Sequence, residues 1–190
     1  EALAKIGAEV VLLARNADQL RQVRDSLPPP ARGSHGFIVA DFADPGAVRD
    51  AVAGYLKDHP PFHILVNNTG GPPAGPAFEA TEEAFRAAFS MHLLCNHALV
   101  QTVVPGMRTE KYGRIINVIS TSVREPIKGL GVSNTIRAAV AGWAKTLSNE
   151  LAPDNILVNC VCTGFMLTDR IRDLATSMAA RQGVKEADIV

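Results

Sequence analysis

The residues whose types best suit chemistry are Ser120, Ser133, Arg137 and His92. Ser133 and Arg137 lie four apart in the helical pattern "GVSNTIRAAVAGWAKTLSNELAP" (131–153), so they share one helix face. Ser120 ends the apolar run "GRIINVIS" and precedes Ser133 by 13 residues. A Ser hydroxyl both donates and accepts hydrogen bonds, but it is a poor general acid near neutrality. Arg stays protonated, so it can hold hydroxyl groups and cannot relay a proton. His92, in "AFSMHLLC", titrates in the useful range, and a helix-packing role is its plainer reading. The segment "STSVREPIKGLG" (120–131) adds Arg124, Glu125 and Lys128. These either supply an acid or an anion site, or form a solvated lip.

Composition narrows what such a set can belong to. A chain of 190 residues suits one domain with a sizeable core. Nineteen basic residues balance nineteen acidic ones, so no global field draws nucleic acid or an anionic membrane. No apolar run approaches the length that spans a bilayer, and no charged-then-apolar leader opens the chain. Cys95, Cys160 and Cys162 make an odd count without framework spacing. Buried reduced thiols in a cytoplasmic protein are expected, with no metal set.

The elements that must position these residues alternate along the chain. Strands are expected near 9–14, 37–41, 62–67, 114–119 and 156–161. Helices are expected over 17–26, 45–57, 81–107 and 132–152, with another from Thr168 onward. The strand runs are apolar throughout, which suggests burial on both faces. Strands separated by whole helices predict right-handed crossovers and a single α/β domain, a Rossmann-like doubly wound parallel sheet with helices on both faces. Residues 1–7 read as the tail of a helix that an earlier strand and a Gly-rich turn would feed. A first strand and a closing C-terminal strand are therefore expected outside residues 1–190. The only internal Gly-x-Gly, Gly129 and Gly131, follows a loop and is not a phosphate-binding turn.

In an open parallel sheet, ligands bind beyond the carboxyl ends of the strands. Ala14-Arg15-Asn16, Asp41-Phe42, Asn67 to Gly71, Ser120 to Ser122 and Thr163-Gly164 all fall at such ends and should converge on one crevice. The second strand of a dinucleotide fold usually ends in a carboxylate that accepts from a ribose 2′-hydroxyl. Here "LLARN" offers Arg15 instead, whose guanidinium suits a 2′-phosphate. NADP is expected over NAD.

Four ordered pieces, "NNTGG" (67–71), "GRIINVIS" (113–120), the 131–153 helix and "ILVNCVCTGFMLTD" (156–169), make the chain resemble a short-chain dehydrogenase/reductase. It is most similar to the 3-oxoacyl carrier-protein reductases. The resemblance implies an adenine contact at Asp41 and Phe42 and sheet-edge and ribose contacts at Asn67 and Asn68. It implies further cofactor contacts at Asn16, Thr69, Gly70, Thr163, Gly164 and Thr168. It also implies a catalytic set of Asn, Ser, Tyr and Lys, onto which His92, Ser120, Ser133 and Arg137 fall. Only Ser120 matches in type. Arg137 would then bind ribose hydroxyls without relaying protons, and Thr163 replaces the Pro before Gly164. Tyr55 and Tyr112 are expected far from the crevice.

Two functions are consistent with these residues. One is an NADP-dependent oxidoreductase for a carbonyl or alcohol substrate, with Ser and Arg in the Tyr and Lys positions. The other is a nucleotide-binding or scaffold protein that keeps the fold without the chemistry. The resemblance also implies a homodimer or homotetramer formed through the two long helices, where Ala138, Ala139, Ala141 and Gly142 permit close approach.

Overall fold

The computed structural model describes residues 1–164 together with 175, 176, 179 and 183. After a short helix α1 (Ala2–Lys5), the elements run β1 (Val11–Ala14), α2 (Ala17–Ser26), β2 (Gly36–Val39), α3 (Pro45–Tyr55) and β3 (Ile64–Asn67). They continue as α4 (Glu82–Phe89), α5 (Cys95–Thr109), β4 (Gly113–Ser120), α6 (Gly131–Leu151) and β5 (Ile156–Thr163). Among the described residues all strand pairs are parallel. The final helix expected from Thr168 lies outside the described residues.

The helix starts follow local chemistry. Asn16 Oδ1 accepts from the backbone N–H groups of Asp18 and Gln19, and Asp44 Oδ1 accepts from those of Gly46 and Ala47. Such bonds satisfy donors that the first turn of a helix leaves open. Pro45 follows Asp44 in the first turn, where its missing N–H costs nothing.

Among the described residues the strands form two hydrogen-bonded sheets, β1–β2 and β3–β4–β5. One core joins them: Ile38 from β2 and Ala40 just after it, Val48 and Val52 from α3, Leu99 and Val103 from α5, Ile115 from β4 and Val158 from β5. Helices occupy both faces. Ile38 turns toward α3 and α5, whereas its neighbour Phe37 turns to α2 and packs under the Arg24 guanidinium. The expectation of strands buried on both faces fails for β3 and β5: Ile64 and Val66 are 40% and 44% exposed, and Leu157 and Val161 are 44% and 48% exposed. The reason is that α5 and α6 both pack on the Ile115–Val158 side.

The helix expected over 81–107 is continuous but not uniform. A π-helical turn, Ser90–Leu94, joins α4 to α5. The resulting 28-residue stretch Glu82–Thr109 is long and apolar enough, by length and composition, to cross a membrane. That corrects the expectation that no such run exists. Its apolar content has a different use here, because half of its most apolar part is buried and Cys95, Leu99, Val103 and Met107 all lie in the core.

Candidate active site

The strand register sets the depth of each candidate residue. Asn67, the last residue of β3, is level with Asn117 of β4, and their side chains meet where Asn67 Nδ2 donates to Asn117 Oδ1 at 2.9 Å. Asn117 is wholly buried. It is a buried polar residue beneath the strand ends, and a polar side chain inside "RIINVIS" is the sequence signal for it. Beyond this pair β3 ends, while β4 and β5 run on together to Ser120 and Thr163, which are directly level. Ser120 and Thr163 therefore stand side by side at strand ends, three residues along β4 from the level of Asn67.

Ser120 ends β4 half-buried, and its Oγ accepts from the backbone N–H of Ser122 at 3.1 Å. A hydroxyl used as an acceptor keeps its own proton to donate. Thr163 Oγ1 donates to the carbonyl of Ile119 at 3.0 Å, tying the end of β5 to β4. Ser133 and Arg137 lie half-buried in α6. Arg137 Nη1 donates to the carbonyl of Val118 at 2.7 Å, two residues before Ser120. The guanidinium is thus held against β4 by the backbone. His92 is 2% exposed, and its Nδ1 lies 2.6 Å from Thr69 Oγ1, just past the end of β3.

A strap fixes the start of α6. Gly75 donates to the carbonyl of Gly129 at 2.7 Å, and Gly131 donates to that of Gly75 at 2.9 Å. A Cβ on Gly131 would run into the Ala77 backbone. The internal Gly-x-Gly therefore serves close chain packing, as expected of a pair that is no phosphate turn.

The 120–131 segment and β5 frame an open cleft of about 500 Å³, lined by Thr121, Arg124, Glu125, Pro126, Ile127 and Cys162. Cys162 corrects the expectation of buried thiols, since it is exposed while Cys160 is partly covered and Cys95 is wholly buried. Alternation along β5 does not decide this, because the strand end opens into the cleft. Burial pushes the Cys95 thiol up to about 11, helped by Asp44 and Asp41, and its Sγ donates to the Phe42 carbonyl. Burial and then the neighbouring Cys162 raise Cys160.

The cofactor candidates divide by what already holds them. Arg15 is exposed between β1 and α2. The Asn16 side-chain oxygen is committed to its helix cap, and Asp41 Oδ1 caps a turn through Ala43 N–H. Asn68 is exposed beside Thr69. At Gly70 and Gly164 an added Cβ would meet nothing within 4 Å, so protein packing does not demand glycine there. Open backbone at two strand ends fits close approach by a dinucleotide. Thr168 lies outside the described residues. Tyr55 stacks with His59 and Phe62, and Tyr112 packs under Arg114, both at the amino ends of the strands and remote from the crevice.

Residues 1–179 match the short chain dehydrogenase family as a unit. The chain belongs to that family. This short-chain dehydrogenase is 32% identical over 176 residues to a putative ketoacyl reductase of the granaticin polyketide synthase from Streptomyces violaceoruber, covering 90% of this chain and 64% of that protein. It is 29% identical over 174 residues to the 3-oxoacyl-[acyl-carrier-protein] reductase of Chlamydia pneumoniae, covering 92% and 70%. L-sorbose reductase from Gluconobacter frateurii, solved with NADPH and L-sorbose, superposes with a TM-score of 0.85 at 28% identity, covering 99% of this chain and 72% of that one. The chain spans 64% of the first of these curated relatives and 73% of a D-beta-hydroxybutyrate dehydrogenase from Rhizobium meliloti. The family is one of oxidoreductases, and the described fold is theirs.

Proposed function

We propose that this chain is the central part of an NADP-dependent oxidoreductase acting on a carbonyl or alcohol, with Ser133 and Arg137 in place of the family's Tyr and Lys. The observation that carries the reading is the register of β4 and β5. It sets Ser120 and Thr163 side by side at the strand ends, where the 120–131 segment opens its cleft. Ser120 Oγ, accepting from Ser122 N–H, retains a proton with which to hydrogen-bond a substrate oxygen. When bound, the nicotinamide supplies the hydride. Arg15 would hold the 2′-phosphate, Asp41 and Phe42 the adenine side, and Asn68, Thr69, Gly70, Gly164 and Thr168 the ribose and nicotinamide side. Arg137 contributes fixed positive charge and donors. It relays no proton, so the proton that completes reduction comes by way of Ser133 and His92, or from Glu125 at the cleft or Lys128 in the same segment, with Arg124 as an anion-binding charge.

The break between the two sheets supports a further expectation. A strand ahead of α1, lying between β1 and β3, would join them into one doubly wound sheet and bring a Gly-rich turn to the crevice. Three free thiols suit a cytoplasmic protein. Exposed Phe89 and Leu94 and the small residues Ala138 and Gly142 support assembly into a homodimer or homotetramer through the long helices.

One observation favours the non-catalytic alternative. Ser120 and Arg137 both already hydrogen-bond the chain's own backbone, as in a site kept for shape. The deciding experiment is hydride transfer by the full-length protein across a panel of ketones with NADPH and alcohols with NADP⁺. Turnover of any member sustains the oxidoreductase reading. Tight NADPH binding without turnover of any member sustains the scaffold.

A further inference from the structure

Thr69, the third residue of "NNTGG", and His92, which the resemblance sets at the family's Asn position, touch each other. Their side chains meet at 2.6 Å across 23 residues of sequence, one just past β3 and the other between α4 and α5. His92 sits inside the π-helical turn Ser90–Leu94. Such turns interrupt the regular helical ladder and often mark functional sites, because they re-aim the side chains they carry. The imidazole is 2% exposed, so each ring nitrogen needs a partner chosen by the protein rather than by solvent. Cys95, the first residue after the turn, is pinned to the Phe42 carbonyl at 3.0 Å, which fixes the turn against the β2 end of the crevice.

We propose that Thr69 is a positioning residue for His92. Its hydroxyl donates to Nδ1, which places the proton of the neutral ring on Nε2 and fixes the ring plane at the crevice wall. The direction is part of the proposal: among the described residues His92 Nδ1 is the one hydrogen-bond partner of Thr69 Oγ1, and a hydroxyl that donates there is satisfied by it. The hydrogen bond at one imidazole nitrogen decides which tautomer the other presents. Alanine at position 69 would leave the ring without that partner.

The test uses the full-length protein with ¹⁵N-labelled histidine, at a pH where the ring is neutral. Nitrogen–proton correlations identify the tautomer, and His92→Gln assigns the signal. The parent protein should show His92 protonated at Nε2. Thr69→Val, which keeps the shape and removes the hydroxyl, should shift it toward a mixture, and Thr69→Ser should restore it. A parent ring protonated at Nδ1, or a His92 signal unmoved by Thr69→Val, overturns the proposal.

The kinetic arm rests on the oxidoreductase reading. Thr69→Val should lower kcat on the order of tenfold, the scale of one hydrogen bond, with Thr69→Ser recovering it. In a His92→Gln background the same change should cost nothing more, because the partner is already gone. Equal losses in both backgrounds would mean that Thr69 does not act through His92 and would overturn the proposal. If no substrate turns over, the oxidoreductase reading fails while the spectra still decide the tautomer.

Discussion

Arg137 Nη1 lies 2.7 Å from the carbonyl oxygen of Val118, so α6 is clamped to β4 two residues short of Ser120. The clamp explains how an Arg at this position can be structural and charged at once. It also defines what a reversal of the two exchanges should do. A Ser hydroxyl lacks both the acidity and the reach of a phenol, and general acid catalysis typically contributes about 10²- to 10⁴-fold. Ser133→Tyr combined with Arg137→Lys should raise ketone reduction by the full-length protein. Either change alone should do less, since the phenol needs a nearby cation to lower its pKa. Steady-state rates for the three variants check this, and no gain despite tight NADPH binding would favour the non-catalytic reading.

Cofactor choice should follow from Arg15, exposed at the end of β1. A charge-assisted bond to a 2′-phosphate contributes about 1.5–3 kcal/mol, so NADPH should bind roughly tenfold or more tightly than NADH. Arg15→Ala should remove most of that gap and leave NADH affinity nearly unchanged. Fluorescence titration of both nucleotides measures it. Equal affinities in the parent protein would remove the basis for naming NADP.

The sequence made the element order legible because apolar runs and caps are local signals. Asn16 and Asp44 cap the helices that begin at Ala17 and Pro45, both starts read from sequence. Ser120 beside Thr163 was legible for the same reason, since both close apolar runs that had to be strands. What escaped was set by contacts between distant segments. No periodicity shows that Thr69 reaches His92, or that Gly75 bridges to Gly129 and Gly131. The exposure of Leu157 and Val161 was hidden too, because an apolar strand reads alike whether one face or both are covered. The π turn is invisible for a related reason: its residues are ordinary helix formers, and packing decides the extra residue in the turn.

The Asn67–Asn117 pair should carry measurable stability. Asn67 is 3% exposed, Asn117 is fully buried, and Asn67 Oδ1 has no hydrogen-bond partner among the described residues. Asn117→Ala removes the acceptor for Asn67 Nδ2 and strands a second polar group in the core. An unsatisfied buried group costs about 1–3 kcal/mol. Urea unfolding should show a midpoint lowered to match. Adding Asn67→Ala should cost less than the two single effects combined, because the stranded amide is then gone.

The three thiols should separate by reactivity and by pH. Cys162, exposed in the cleft, should alkylate readily in the native protein, while wholly buried Cys95 should not. Peptide mass spectrometry after brief labelling distinguishes them, and prior labelling at Cys162 should impede any substrate that enters beside Arg124. Cys95 also gives a stability signature of definite sign. Its folded value, about 11, lies above the ordinary thiol value of 9.0. Below pH 9 both states keep the proton and the group has no effect. As pH rises from 9 toward 11 the unfolded thiol ionises first, so unfolding is increasingly favoured. Two pH units correspond to at most about 3 kcal/mol. Chemical denaturation across that interval should therefore destabilise the parent protein more steeply than Cys95→Ala. Parallel slopes for the two proteins would show that Cys95 ionises in the native state as it does in the unfolded chain.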